Sequence, residues 1–69
     1  MTQADQIRTH LERYGSITQL EAMREYGIMR LGARIYDLKK SGLLIESKTE
    51  TTKNRYGKPV SYARYTLHE

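Results

Sequence analysis

Four apolar residues recur at helical spacing near the middle of the chain. They stand at i, i+3, i+7 and i+10: Ile28, Leu31, Ile35 and Leu38. This spacing puts all four on one face of an α-helix, which repeats about every 3.6 residues. Gly42 follows, at a position typical of a helix end. The pattern predicts an amphipathic helix, helix 3, over about residues 29–41.

A second helix is indicated just before this one. Thr18 and Glu21 have the spacing of a capping box, in which both side chains bind free backbone N–H groups of the first turn. Gly27 can end the helix because glycine tolerates the left-handed backbone conformation. We therefore expect helix 2 over about residues 19–26. Its apolar face is expected at three residues: Leu20, Met23 and Tyr26.

The first helix is predicted by the same kind of pattern. Thr2 and Asp5 resemble a cap, and Gly15 can end the helix. These signals predict helix 1 over about residues 3–14, with His10 off the apolar face and exposed. The expected apolar face has four members: Ala4, Ile7, Leu11 and Tyr14.

Beyond Gly42 the period changes from that of a helix to that of a strand. Apolar and polar residues alternate over about residues 43–49 and again over about 60–67, which predicts two strands. Antiparallel pairing brings their apolar ends together against the helices. About residues 50–59 then form the tip of a projecting hairpin, rich in turn residues. The tip carries three basic side chains and one aromatic: Lys53, Arg55, Lys58 and Tyr56.

The order of three helices followed by a two-stranded antiparallel hairpin predicts an α+β fold, the winged helix-turn-helix. In this fold the second helix of the helix-turn-helix, here helix 3, reads the major groove of DNA. The hairpin is the wing. Sixty-nine residues are enough for one domain, which we expect to span residues 1–69.

The sequence also resembles a known family. The run SITQLEAMREYGIMRLGARIYDLKKSG, followed by a hairpin that ends in ARYTL, is similar to small winged helix-turn-helix proteins of bacteriophages and prophages. The resemblance covers residues 7–67 and implies three helices, a wing and DNA binding. Gly32 departs from the family, which often has alanine there. Glycine would weaken helix 3 by up to about 1 kcal/mol.

The face of helix 3 opposite its apolar stripe is the candidate reading face. Arg30 lies in the expected first turn, where its guanidinium can donate two hydrogen bonds to guanine. A solvated surface with an Arg34–Asp37 pair is the alternative, and Arg34 could instead bind Glu21 or Glu25. The candidate DNA-binding residues are Arg30, Ala33, Arg34, Tyr36, Asp37 and Lys40 on helix 3, and Lys53, Arg55, Tyr56 and Lys58 on the wing.

Charge supports a nucleic-acid partner. The net charge is +4, and the excess lies in residues 28–40 and 51–69, each with four basic residues and one acidic residue. This segregation is expected of a protein that neutralises phosphates with two elements. The chain has no cysteine and no stretch apolar enough to span a membrane, so we expect a cytoplasmic protein of a bacterial or phage-infected cell.

Catalysis and metal binding are not expected. The sequence has no glycine-rich phosphate loop and no Ser-His-Asp spacing. His10 and His68 are far apart and lack acidic neighbours at ligand spacing. No cofactor or small-molecule ligand is indicated.

Double-stranded DNA is the leading partner, bound by a phage- or prophage-type transcriptional regulator or accessory factor. The first alternative is a winged helix that binds protein without specific DNA binding, through the outward residues Met29, Leu44 and Tyr62. The same residues could form the seam of a homodimer. RNA is less favoured, because the deep, narrow major groove of A-form RNA does not admit a helix.

Overall fold

The computed structural model describes residues 2–68 and confirms the winged helix-turn-helix architecture, with one strand more than expected. The helices and strands, in chain order, are α1 (Gln3–Tyr14), β1 (Ser16–Thr18), α2 (Gln19–Tyr26), α3 (Leu31–Lys40), β2 (Leu44–Lys53) and β3 (Pro59–His68). None of the helices in this described part of the chain is long and apolar enough to cross a membrane.

Both predicted capping boxes are present. The Thr2 hydroxyl accepts from the N–H of Asp5 at 3.1 Å, and the Asp5 carboxylate accepts from the N–H of Thr2 at 3.2 Å. Thr18 and Glu21 make the same reciprocal pair at 3.2 and 2.9 Å. Gly27 follows α2 with φ of 67°, and its N–H bonds the Met23 carbonyl at 2.9 Å. These short sequence signals therefore fix where α1 and α2 begin.

α3 begins at Leu31, two residues later than expected from the apolar stripe. Ile28 belongs to the stripe but lies in the turn, where its side chain is buried. Arg30 occupies the N-cap position, with extended φ of −120° and no side-chain cap. The expectation that Arg30 lies in the first helical turn is therefore wrong. Residues 28–30 are non-helical and form the turn between α2 and α3 after Gly27.

The sheet has a third strand that the alternation pattern did not predict. β1 pairs antiparallel with β3, and the strand order is β1-β3-β2. Ile17 pairs with Tyr65, and the Leu67 N–H bonds the Gly15 carbonyl at 3.0 Å. A segment between two helices is thus joined to the C-terminal strand.

The wing is a longer hairpin with a shorter tip than expected. β2 and β3 pair over ten residues, from Leu44 with His68 to Lys53 with Pro59. Only residues 54–58 remain as the loop, so the expected tip of residues 50–59 is too long. Leu43 precedes β2 and is half-buried. Extended pairing is favoured here because β-branched threonines continue the strand beyond the apolar part.

The core forms where the three helices meet the base of the sheet. The stripe of α3 was predicted correctly, and Ile35 is 3% exposed. In α2 the prediction holds for Tyr26, which packs against the core, but was wrong for the other two residues. Leu20 and Met23 are exposed, whereas Ala22 is fully buried. The buried apolar residues are Ile7, Leu11, Ile17, Ala22, Ile28, Leu31, Ile35, Leu38 and Ile45.

α1 packs through the expected face, since Ile7 and Leu11 are buried and Ala4 packs against the core, but the expectations for two residues were wrong. Tyr14 is 65% exposed, whereas His10 is buried. The His10 Nδ1 lies 2.6 Å from the Tyr26 hydroxyl, and the two rings meet edge to face. Burial raises the pKa of Tyr26. This pair joins α1 to the last residue of α2, and the polar His10 takes a core position because it has a hydrogen-bond partner there.

Candidate nucleic-acid interface

The outward face of α3 is set by the packing of its inward face. Leu31, Ile35 and Leu38 are buried, so residues about half a turn away face solvent. Tyr36 and Lys40 are exposed and Ala33 is half-buried. Lys40 Nζ lies 5.7 Å from the centre of the Tyr36 ring, a cation–π contact across one turn of the helix. Ala33 is small enough for the edge of a groove to approach the helix, and the longer side chains of Tyr36 and Lys40 extend from the same face.

A side chain of α2 holds the start of α3. Gln19 donates from Nε2 to the carbonyl of Ile28 at 2.7 Å and accepts on Oε1 from the N–H of Leu31 at 3.0 Å. The N–H of Leu31 is one of the helix-start donors that lack an intrahelical partner. Arg30 provides no side-chain cap, so Gln19 acts as the cap from a neighbouring helix. The sequence analysis missed this residue, because a glutamine at a helix start carries no distinctive signal.

The N-terminal end of α3 borders an open depression in the surface. Arg30 is exposed there, beside Met29, which is 72% exposed. The depression is lined by residues of α1, of α3 and of the turn before α3: Gln3, Gly27, Met29, Arg30, Ala33 and Arg34. The predicted residues Arg30, Ala33 and Arg34 therefore lie together, and Gln3 of α1 joins them.

Arg34 and Asp37 are partners on the α1 side of this face. Arg34 Nε lies 3.3 Å from Asp37 Oδ2 without hydrogen-bond geometry. Its Nη1 donates to Gln3 Oε1 at 3.4 Å, a long contact. Arg34 does not bind Glu21 or Glu25, which was the other arrangement considered. Asp37 thus offsets part of the positive charge that Arg34 brings to the face.

Lys39 is an exposed basic residue that the candidate set omitted. It follows Gly32 by seven residues, or about two helical turns, so both lie on the same side of α3. That side faces the sheet, since a Cβ at Gly32 would lie 3.8 Å from the Tyr65 hydroxyl. Lys39 therefore borders the space between α3 and the wing.

The helix-side face of the wing, meaning the face that points toward α3, is lined by hydroxyls. Side chains alternate along a strand, so Ser47, Thr49, Thr51 and Lys53 share the face of the buried Ile45. Across the pair, the Thr51 Oγ1 and Ser61 Oγ lie 3.3 Å apart. Lys53, predicted as a tip residue, is instead the last residue of this helix-side face. Thr51 and Lys53 were not expected on this face, because the first strand was predicted to end near residue 49.

The wing loop is held by one asparagine. Asn54 Oδ1 accepts from the N–H groups of Tyr56 at 2.9 Å and Lys58 at 3.1 Å, and the Asn54 N–H bonds the Lys58 carbonyl. Tyr56 is 80% exposed, and Arg55 and Lys58 are exposed beside it. Two cations and an aromatic ring therefore project from a loop of defined shape.

Arg64 of β3 is basic, but its guanidinium makes hydrogen bonds and ion pairs within the protein. Its Nε donates to Glu50 Oε1 at 2.9 Å, and its Nη1 donates to Ser16 Oγ at 3.1 Å and lies 3.7 Å from Glu21 Oε1. The hydrogen bond from Arg64 lowers the pKa of the Glu50 carboxyl below its ordinary value. Arg64 therefore ties the wing to β1 and the start of α2.

The three outward apolar residues considered for protein binding do not form one patch. Leu44 pairs with His68, and Tyr62 pairs with Glu50, six residues further along the hairpin. Six residues of strand span about 20 Å. Met29 belongs to the turn before α3.

Within residues 2–68, no group of three acidic or histidine side chains is placed to hold a metal ion.

Comparison with known proteins agrees with this architecture. A family profile described as a winged helix-turn-helix domain matches residues 2–69. No curated protein and no solved structure matches the chain. The winged helix-turn-helix is a fold used for binding DNA. Since the profile covers nearly the whole chain, the protein belongs to the winged helix-turn-helix domain family.

Proposed function

We propose that this protein binds double-stranded DNA, with α3 in the major groove and the wing against the neighbouring phosphates or minor groove. The observation that carries the proposal is that two neighbouring elements, α3 and the wing, both expose basic residues. Arg30, Lys39 and Lys40 are exposed on or beside α3, and the helix-side face of the wing borders the same helix. The proposed role is that of a transcriptional regulator or accessory DNA-binding factor of the phage or prophage type, in line with the sequence resemblance.

The proposed contacts differ between the two elements. Arg30 is free of a side-chain capping bond at the start of α3, so its guanidinium is available to read guanine O6 and N7. Tyr36 and Lys40 extend the same surface along the helix, and Ala33 leaves space for the edge of the groove. Arg34 and Asp37 balance each other at its α1 side.

On the wing, phosphates are the expected targets. Hydroxyls and basic side chains are common phosphate ligands, and they position a protein on DNA without reading its sequence. The helix-side hydroxyls of Thr49, Thr51 and Ser61 suit this role, together with four residues at or near the tip: Lys53, Arg55, Tyr56 and Lys58.

The test is a salt titration of binding to a random-sequence duplex, followed by selection of preferred sites from a random pool. Each neutralised phosphate contributes about −0.9 to the slope of log K against log salt, so five or six contacts give roughly −4 to −5. A flat salt response would argue against DNA binding and would favour the protein-binding alternative. A salt-dependent response with no selected sequence would limit the role to an accessory, non-specific one.

A further inference from the structure

β2 is an open edge of the sheet. Within residues 2–68 the strand order is β1-β3-β2, so β2 has a hydrogen-bonded neighbour on one side only. The edge runs for ten residues without proline or glycine. An edge of this length and composition offers its free backbone groups to another strand.

Two hydrogen bonds establish which backbone groups of β2 are free. Asn54 N–H bonds the Lys58 carbonyl, so the backbone N–H of Asn54 points across the hairpin toward the β3 side. Bonded and non-bonded pairs alternate along antiparallel strands, so even-numbered residues of β2 point their backbone toward β3. The bond from Leu67 N–H to the Gly15 carbonyl gives the same alternation on β3. The residues of β2 that point their backbone outward are Ile45, Ser47, Thr49, Thr51 and Lys53.

These outward residues are symmetric about Thr49. A two-fold axis there would pair Thr49 with Thr49 of the partner subunit and Ser47 with Thr51 of the partner subunit. Ile45 would likewise meet Lys53 of the partner subunit. Every outward N–H and carbonyl of β2 would then have a partner.

The same register is complementary in charge. It sets Lys48 directly opposite Glu50 of the partner subunit, and symmetry repeats this pair on the other side of the axis. Opposite charges at facing positions stabilise a strand pair. An axis at Ser47 would also oppose Glu46 and Lys48, but it would leave the outward groups of Lys53 unpaired. Full backbone pairing and charge complementarity therefore select the axis at Thr49.

We propose that two copies of this chain form a homodimer by antiparallel pairing of β2 with β2, about a two-fold axis at Thr49. The sheet becomes six-stranded, in the order β1-β3-β2 followed by its symmetry copy. A two-fold axis perpendicular to the sheet does not exchange its two faces. Both α3 helices therefore lie on the same face of the six-stranded sheet. Such a contact uses the same surface on both subunits, as two-fold dimers do. The dimer needs no DNA, so it stands or falls independently of the proposed function.

The first experiment measures the mass of the DNA-free protein by sedimentation equilibrium over a range of concentrations. The expected mass at high concentration is twice the 8.1 kDa of one chain. Thr49→Pro should return it to the single-chain mass, because proline removes the central outward N–H and is tolerated on an edge strand. Thr49→Val keeps that N–H and is the matched control, expected to remain dimeric. A single-chain mass for the unmodified protein at high concentration would overturn the proposal.

The second experiment tests the register and does not depend on Thr49→Pro folding. Lys48→Glu and Glu50→Lys each place like charges opposite one another in a homodimer, so each variant alone should be monomeric. Mixed together, they restore both opposite-charge pairs and should form a heterodimer of doubled mass. Circular dichroism confirms that each variant is folded. A dimer that persists in both single variants, or a mixture that stays monomeric, would exclude this register.

Discussion

Gln19 Oε1 accepts a hydrogen bond from the N–H of Leu31, 3.0 Å away, so the first residue of α2 caps the first residue of α3. The same side chain binds the carbonyl of Ile28. The side-chain amide of Gln19 therefore binds both the turn, at Ile28, and the start of α3, at Leu31.

Gln19→Ala should therefore lower stability and loosen the position of α3. Leaving a backbone donor and acceptor without partners costs about 1–3 kcal/mol. Urea unfolding measures the loss, and amide hydrogen exchange at Leu31 should accelerate more than at Leu11. Gln6→Ala, a half-buried glutamine on α1, is the control and should change stability less. If the Leu31 amide exchanged at the same rate in both variants, the hydrogen bonds of Gln19 would not be needed to hold the start of α3.

Arg30→Ala should relax the sequence preference of DNA binding, whereas Lys58→Ala should not. A bidentate contact to guanine supplies about 1–3 kcal/mol of discrimination. A phosphate contact by Lys58 adds affinity for every duplex and about one unit of salt slope. Competition between selected and random duplexes separates the two effects. If both variants weaken all duplexes equally, Arg30 binds phosphate and the reading residue lies elsewhere on α3.

Ile35→Ala should unfold the protein or lower its melting temperature sharply. Ile35 is 3% exposed within the core, and replacing such a side chain by alanine costs about 2–5 kcal/mol. That is a large fraction of the stability of so small a protein. Thermal melts followed by circular dichroism measure the effect. A stable Ile35→Ala variant that still binds DNA would contradict the assignment of the inward face of α3.

Asp37→Ala should change the free energy of unfolding by no more than about 0.5 kcal/mol, because Asp37 is exposed and its contact with Arg34 lacks hydrogen-bond geometry. Its effect should appear in DNA binding. Removing a negative charge beside the proposed phosphate sites, and releasing Arg34, should strengthen binding to random duplexes and steepen the salt dependence. Binding isotherms at two salt concentrations check this. Unchanged affinity would place Asp37 outside the interface.

Glu50 and Arg64 should make stability depend on pH in the acid range. The folded-state pKa of Glu50 is below its ordinary value of 4.5, so its stabilising effect is complete above that value. The effect is lost as the pH falls through the lower folded-state pKa. The urea midpoint of Glu50→Gln should thus fall furthest below that of the unmodified protein at neutral pH, and the difference should shrink in acid. Glu25→Gln, on an exposed part of α2, is the control. A difference that grows in acid would contradict the sign.

The overall architecture could be predicted because its signals are local. The buried stripe of α3 extends over three turns, and two capping boxes mark the starts of α1 and α2. Apolar period and caps act within a few residues, so they can be read without knowing the fold. The hairpin followed from alternation, which also acts locally.

Other features depend on contacts between distant segments. β1 has three residues, too few to show alternation, and exists because β3 lies beside it. α2 has only two turns, so its apolar residues did not decide which side would be buried; the small Ala22 fits against the core while Leu20 remains outside. His10 became a core residue because Tyr26 of α2 lies within reach. The two hydrogen bonds of Gln19 and the row of hydroxyls on the wing likewise could be identified only in the folded structure.

The pairing of Ser16–Thr18 with Arg64–Thr66 has a consequence for how the chain is made. The helix-turn-helix lies inside the loop that this pairing closes. During synthesis, α2 and α3 leave the ribosome well before Arg64, and until then β1 has no strand to join. Contacts this far apart in sequence form late and slowly compared with local ones. α3 should therefore reach its fixed position only after β3 has been added, and a nascent chain stalled before β3 should lack the proposed DNA binding.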